Sequence, residues 1–379
     1  MAAGFSLNLY PFVYKARFDG QGWHRELEEK PHRSPEEESG LSPGDRGALV
    51  ALRNSFPDLP LINYTTQYGM GCFEGLKAYP QKDGSLRVFR PEANAERFYN
   101  SMVGLMMPPF PKDQFVAGVL ETVRANASIG FRPSYDAAWE KNDFVTADSV
   151  YLRPFSYSEG GIGLNLSSVP WVIIAATPVG SYFDPDASSK ALVTDMIRAN
   201  SRGTGWIKCA ANYVIPTLAK KRAMALGYME AVFLDAATGK YIEEGSSCNF
   251  FALLKSGVLV TPAVEDRILN GINRQSIIVL ARELGVRVEE RGLSLEEVMS
   301  EGVECFVTGT AAGVSYLESL TTGGTAGNQS GSPSNGDRPR TKVFNDGKMG
   351  ELTRTLLVTL KGIQYGSVAD THGWMVDIE

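Results

Sequence analysis

The chain has 379 residues, of which 43% are hydrophobic and 21% charged, and a net charge of −6 at pH 7. That length supports two domains, each with its own core, and the composition is that of an ordinary globular protein. The negative balance offers no basic surface to a nucleic acid, and no apolar run approaches the roughly 20 residues of a membrane-spanning helix.

The acidic stretch from Glu26 to Glu38 suits neither a secretory signal nor a transit peptide, which favours a cytoplasmic protein. Cys72, Cys209, Cys248 and Cys305 are widely spaced, with no CxxC, and read as reduced thiols rather than a disulfide framework or a zinc site. With only His24, His32 and His372, a histidine triad or metal cluster is improbable.

Along the chain, Leu61–Tyr64, Leu76–Tyr79 and Leu86–Phe89 alternate with turn residues such as Asp83-Gly84 and predict antiparallel hairpins. Pro91 opens a helix over Glu92–Met106, stopped by Pro108-Pro109. A second helix over Lys112–Ser128 and buried strands at Ser149–Ser156 and Trp171–Thr177 complete an α+β half. Gly, Pro, Asp and Ser gather between Pro178 and Ser189, as in an interdomain connection.

Beyond it, a strand is expected at Ala191–Ala199, then a segment around Lys208, a helix at Tyr213–Leu226 and a strand at Ala231–Asp235. Further strands fall near Tyr241, at Phe250–Leu253 and at Cys305–Thr308. Helices are expected at Arg274–Leu284, Ser294–Met299 and Gly347–Lys361, with Gly285 as a stop. Residues 319–341 are nearly devoid of apolar side chains and predict a flexible surface loop remote from the chemistry. The resulting division is 1–177, a connection at 178–189, and 190–379.

Lys208 lies in Trp206-Ile207-Lys208-Cys209-Ala210-Ala211-Asn212-Tyr213, between large apolar and small residues. Most lysines are surface charges. One held in a tight, partly apolar pocket has the lowered basicity that an amine attacking a carbonyl requires. Gly309-Thr310-Ala311-Ala312-Gly313 after a strand, and Gly271-Ile272-Asn273-Arg274 opening a helix, are candidate anion cradles. Neither matches GxGxxG or a P-loop.

For Glu243-Glu244, taken alone, a solvated turn is the plainer expectation. Arg90 and Arg97 are candidate phosphate partners, and Tyr68, Phe73, Tyr151, Arg153 and Tyr182 form an aromatic and cationic set near strand ends. An amine, two anion cradles, a guanidinium, a carboxylate and aromatic walls together are what pyridoxal phosphate demands.

Those residues carry a resemblance. Tyr68 to Tyr79, with Phe73-Glu74-Gly75 and Lys77-Ala78-Tyr79, is similar to the YGxxxFEGxKAY block of the branched-chain amino acid aminotransferases, pyridoxal-phosphate enzymes of fold type IV. Arg90 to Arg97, Tyr151 to Pro154, Lys208 to Tyr213, Glu244 to Phe250, Gly271 to Arg274 and Thr308 to Ala311 follow in family order.

The resemblance implies a two-domain fold, a small α+β domain and a larger β-barrel-like domain with surrounding helices. It implies that Lys208 is the Schiff-base lysine and proton shuttle, Glu244 the partner of the pyridine nitrogen and Tyr213 that of the phenolic oxygen. Arg97, Ile272, Asn273 and Thr310 would hold the phosphate, and Ala311 and Ala312 the substrate carboxylate. Tyr68, Phe73, Gly75, Tyr151, Arg153 and Tyr182 would shape the side-chain pocket.

The implied activity is transfer of an amino group between leucine, isoleucine or valine and 2-oxoglutarate by a homodimer. The alternatives are a D-amino acid or (R)-amine transaminase, an aminodeoxychorismate lyase, or an inactive binding protein on the same fold. Three departures stand out: Asn273 where the family has Thr, Ala210-Ala211 where it has Gly-Gly, and Ala312 with Ser315 where some animal members carry a CxxC.

Overall fold

The computed structural model describes residues 7–180, 189–323 and 339–379. The chain divides into two compact units. One comprises Met1–Asp184, Ile207–Ala211 and Gly362–Glu379; the other comprises Pro185–Trp206 and Asn212–Lys361.

The first unit is built on a seven-stranded sheet whose neighbouring strands all run antiparallel. In spatial order these are Met375–Asp377, Leu86–Phe89, Leu76–Pro80, Ser149–Tyr157, Trp171–Val179, Phe12–Phe18 and Trp23–Glu29. The period-2 alternation of strands sends Val172, Ile174 and Ala176 to one face, into a core with Phe98, Met102, Phe115 and Val119 of the helices Pro91–Gly104 and Lys112–Ser128. Ile173 and Ala175 point the other way, to Leu9, Val13, Phe56 and Leu59. Both faces are therefore buried at the centre of the sheet, around Trp171–Val179.

Two parts of this unit depart from expectation. Leu61–Tyr64 forms no strand; Asn63 instead caps a short helix, Tyr64–Tyr68, by accepting a hydrogen bond from the Thr66 N–H. The division at 177 and 190 also omits two returns of the chain. Met375–Asp377 pairs with Leu86–Phe89, and Ile207–Ala211 is tied to 71–73 by Phe73 N–H to the Lys208 carbonyl (3.1 Å) and Ala210 N–H to the Gly71 carbonyl (2.8 Å).

The second unit is a mixed, branched sheet. Asn249–Leu254 pairs with Leu259–Thr261, with Gly302–Gly309 and, at Asn249 alone, with Glu244 of Tyr241–Gly245. The path continues through Glu230–Leu234, Lys190–Val193, Ser319–Thr321 and Thr341–Val343. The strand expected to run to Ala199 stops at Val193. Phe250, Val260, Val307 and Leu317 fill one core, and Ala219 and Ala223 of the helix Val214–Ala225 pack on Ala231 and Phe233.

The predicted loop over 319–341 is in part ordered: Ser319–Thr321 and Thr341–Val343 pair with each other, and Ser319–Thr321 is buried. Residues 324–338 lie outside the described residues, as do 181–188 of the expected connection.

Candidate active site

The candidate residues fall into two sets, one in each unit. In the first, Lys208 is half-buried rather than enclosed, but its flanking residues Ile207 and Cys209 are in the core. Its backbone N–H donates to Ser101 Oγ (3.1 Å), and its Nζ stands 4.9 Å from the Phe73 ring centroid. The Arg153 guanidinium lies 4.6 Å from the same centroid and donates to the Tyr151 hydroxyl (2.7 Å).

Gly75 is required beside this cluster, because a Cβ there would stand 2.2 Å from the Tyr151 hydroxyl oxygen. The Tyr68 hydroxyl accepts a hydrogen bond from the Gly163 N–H (3.0 Å). Tyr182 lies outside the described residues.

Arg97, on the helix Pro91–Gly104, makes a two-pronged pair with Glu74, Nε to Oε1 at 2.7 Å and a terminal nitrogen to Oε2 at 2.8 Å. The Arg97 side chain is 11% exposed and that of Glu74 0%. The pair fixes the plane of the guanidinium, which a lone helical arginine would not have. Of the Ala210-Ala211 pair, Ala211 packs against Gly69: a Cβ on that glycine, which has φ +69°, would stand 3.0 Å from the Ala211 methyl.

In the second unit, Glu243 and Glu244 are both buried, which overturns the solvated-turn expectation for the pair. As consecutive strand residues they point to opposite faces, and each meets its own arginine. Arg267 Nε binds Glu243 at 2.6 Å, and burial raises the Glu243 carboxyl above the usual range. Arg198 meets Glu244 Oε2 at 2.6 Å, while Glu244 Oε1 accepts from Asn249 Nδ2 (2.7 Å) and the Leu269 N–H (3.0 Å).

Arg198, Tyr213, Glu244, Ser246 and Asn249 line a small cavity of about 30 Å³. The Ser246 hydroxyl is buried there without a hydrogen-bond partner, as is that of Thr308 on the neighbouring strand Gly302–Gly309.

Helix Ile272–Glu283 begins at Gly271 with no side-chain cap, so its first N–H groups and the positive end of its dipole form an anion site. A Cβ at Gly271 would stand 2.0 Å from Asn249 Oδ1. Asn273 Nδ2 donates to the Gly309 carbonyl (2.9 Å) and so braces the turn Thr310–Ala312, which joins Gly302–Gly309 to Gly313–Leu317. The side-chain amide expected to reach a phosphate is thus engaged with that turn.

Glu74, Arg198 and Asn249 were not singled out in the sequence. Glu74 and Asn249 stood inside the matched blocks, whereas Arg198 carried no signal beyond its charge.

A class IV amino-transferase family model matches residues 71–320. The chain belongs to that family. It is 37% identical to the mitochondrial branched-chain-amino-acid aminotransferase 1 of Arabidopsis thaliana, over 82% of this chain and 74% of that one. It is 36% identical to the chloroplastic branched-chain amino acid aminotransferase 2 of Humulus lupulus, over 82% and 70%.

Among solved structures, the branched-chain aminotransferase of the thermophilic archaeon Thermoproteus uzoniensis, with norvaline, has a TM-score of 0.68 at 29% identity, covering 85% of this chain and 95% of that one. The family's two-domain α/β fold accounts for the two sheets of this aminotransferase. Among the described residues no group of three or more His, Cys, Asp or Glu is placed to hold a metal, and no helix is long and apolar enough to cross a membrane.

Proposed function

We propose that this aminotransferase moves the amino group of leucine, isoleucine or valine to 2-oxoglutarate, using pyridoxal 5'-phosphate. The observation that carries the substrate reading is the Phe73 ring, which lies near the Lys208 amine (4.9 Å) and the Arg153 guanidinium (4.6 Å). An aromatic wall receives a branched apolar side chain, and Arg153 with the Tyr151 hydroxyl receives the distal carboxylate of glutamate. One pocket then serves both substrates of a ping-pong reaction.

The donor set fits the cofactor. An uncapped helix start and a hydroxyl-bearing turn suit a phosphate, a buried carboxylate suits a ring nitrogen, and the unpartnered Ser246 and Thr308 hydroxyls suit a polar guest. The cofactor supplies an aldehyde for the lysine and an electron sink for the charge developed at the substrate Cα.

The chain's own groups do the rest. Lys208 would hold the cofactor and, with its amine released, would carry the proton from the substrate Cα to the cofactor. Glu244 takes the ring nitrogen and Tyr213 the phenolic oxygen. Arg97, aimed by Glu74, shares the phosphate with the Ile272 and Asn273 backbone and Thr310. The Ala311 and Ala312 N–H groups receive the substrate carboxylate, and Tyr68, Gly75 and Tyr182 complete the pocket wall.

Rapid mixing of the purified holoenzyme with L-leucine, D-alanine or a chiral (R)-amine tests this directly. Loss of the yellow cofactor absorbance with leucine, restored by 2-oxoglutarate, is expected. Conversion by D-alanine or the amine alone would assign one of the sister activities, and no conversion by any would mark a binding protein.

A homodimer is the proposed assembly. In the first unit Leu61 (86% exposed), Ile162 (77%) and Leu164 (93%) present apolar side chains from two segments tied by the Gly161 N–H to the Ile62 carbonyl. Sedimentation at micromolar concentration should give twice the chain mass. The proposed compartment is the cytosol. Cys72, Cys209, Cys248 and Cys305 are free thiols, and burial pushes Cys72 up to about 12, where it is inert to oxidation. Cell fractionation tests that placement.

A further inference from the structure

The carboxylate of Glu244 is held more completely than its own role as an acceptor requires. The Glu244 side chain is 4% exposed and that of Arg198 8%. Arg198 bridges Glu244 Oε2 (2.6 Å) and, through its other terminal nitrogen, the Arg267 carbonyl (2.7 Å). Asn249 Nδ2 is shared between Glu244 Oε1 (2.7 Å) and the Leu269 carbonyl (2.9 Å).

Glu243, one residue earlier, shows the alternative. Its Oε1 meets Arg267, its Oε2 is buried without a partner, and burial favours its protonated form. Adjacent carboxyls on one strand thus receive opposite treatment, and only the one lining the cavity has donors on both oxygens.

We infer that Arg198 is a positioning residue that decides which of two atoms, Glu244 Oε or the cofactor's ring nitrogen, carries the proton they share. The inference rests on the reading that Glu244 meets that nitrogen. A single proton has two resting places: carboxylate with protonated ring, or carboxylic acid with neutral ring. In a buried site the neutral pair is favoured, because charges removed from water lose their solvation.

Charged donors on the carboxylate reverse that preference by stabilising its ionised form. Asn249 and the Leu269 amide are neutral; Arg274 also feels the Glu244 charge but bonds the Pro262 carbonyl and Glu290, so Arg198 is the full positive charge in direct contact, and a guanidinium keeps its charge throughout the working pH range. The proton therefore stays on the ring, and the ring keeps its capacity as an electron sink. No other bond changes and no redox partner is involved.

The test uses holoenzymes loaded with cofactor carrying ¹⁵N at the ring position, read by ¹⁵N NMR. The wild type should give the protonated-nitrogen shift, Arg198→Gln the unprotonated one, and Arg198→Lys the protonated one, because it restores the charge without the fork. Glu244→Gln should give the unprotonated shift. Arg198→Gln with a wild-type shift, while Glu244→Gln has lost it, would overturn the inference and leave Arg198 a packing residue. Glu244→Gln with a wild-type shift would instead overturn the assignment of Glu244.

If Arg198→Gln does not fold, a pH titration of the shift decides between wild type and Arg198→Lys. Earlier loss of the proton in the lysine variant, whose ammonium lacks the two-point grip, supports the inference, and an identical titration overturns it.

Discussion

Each unit carries a buried Arg–Glu pair, and the two pairs work in opposite directions. In the first, Glu74 is the sealed member and Arg97 the one nearer solvent, 0% against 11% exposed. On the proposed assignment, a carboxylate there would orient a guanidinium toward an anion. In the second, Arg198 holds Glu244 beside a cavity, and a guanidinium would orient a carboxylate toward a cation. The same chemical pair would then build a phosphate grip in one place and a pyridine grip in the other. In both pairs the arginine is the less buried member; what differs is which partner the proposed assignment gives to the guest.

Removing the sealed member of the first pair should have the largest effect. Glu74→Ala removes the carboxylate that both prongs of Arg97 meet, and breaking such a pair costs about 3–5 kcal/mol. Urea denaturation should show that loss, and equilibrium dialysis should show weaker cofactor retention. Retained cofactor affinity in a destabilised Glu74→Ala protein would separate the two pairs and deny the parallel between them.

The second unit also holds an amine that the comparison must account for. Lys361, on the helix Glu351–Gln364, packs its Cε beneath Gly313, and burial lowers its basicity from 10.5 to about 8. Folding therefore favours the neutral amine. This contribution is fully present above 10.5, is lost as pH falls through about 8, and below that leaves a buried ammonium. At 1.36 kcal/mol per unit the cost at pH 7 is up to about 3 kcal/mol. Lys361→Met should raise the urea midpoint at pH 7, with the gain shrinking between pH 8 and 10.5.

Gly75→Ala sharpens the account of the first unit. Its Cβ would force Tyr151 aside from 2.2 Å, an overpacking cost of about 1–3 kcal/mol. With Tyr151 in the proposed substrate wall, KM for leucine and 2-oxoglutarate should rise while the cofactor stays bound. The smallest effect is expected from Asn273→Ala, which deletes one hydrogen bond to the Gly309 carbonyl worth about 1 kcal/mol. A modest rise in cofactor dissociation, measured by dialysis, would follow from a looser Thr310–Ala312 turn.

Much of this was legible from local chemistry. Pro91 and the Pro108-Pro109 stop bracketed one helix, and Lys112–Ser128 was bounded as predicted. The opening hairpin Phe12–Phe18 and Trp23–Glu29 was not read, although Asp19-Gly20 marked its turn; there the Asp19 carboxylate accepts from the Gln21 and Gly22 N–H groups.

The candidate site residues could be named from motifs, but their partners were hidden by sequence distance. Nothing near Glu243-Glu244 announces Arg198 and Arg267, so the pair looked like a solvated turn. Lys361 was read only as the end of the helix expected at Gly347–Lys361, since only tertiary packing buries it. No element was assigned beyond Lys361, because the register of Met375–Asp377 on Leu86–Phe89 is set by pairing across nearly three hundred residues.

Lys208, beside Phe73, is the proposed carrier of the cofactor, and Lys361, buried against Gly313, is the lysine to compare it with. Borohydride reduction of the holoenzyme, followed by proteolysis and mass spectrometry, distinguishes them. The account predicts the phosphopyridoxyl mass on the peptide containing Lys208 and on no other. Its appearance on the Lys361 peptide would contradict the central claim.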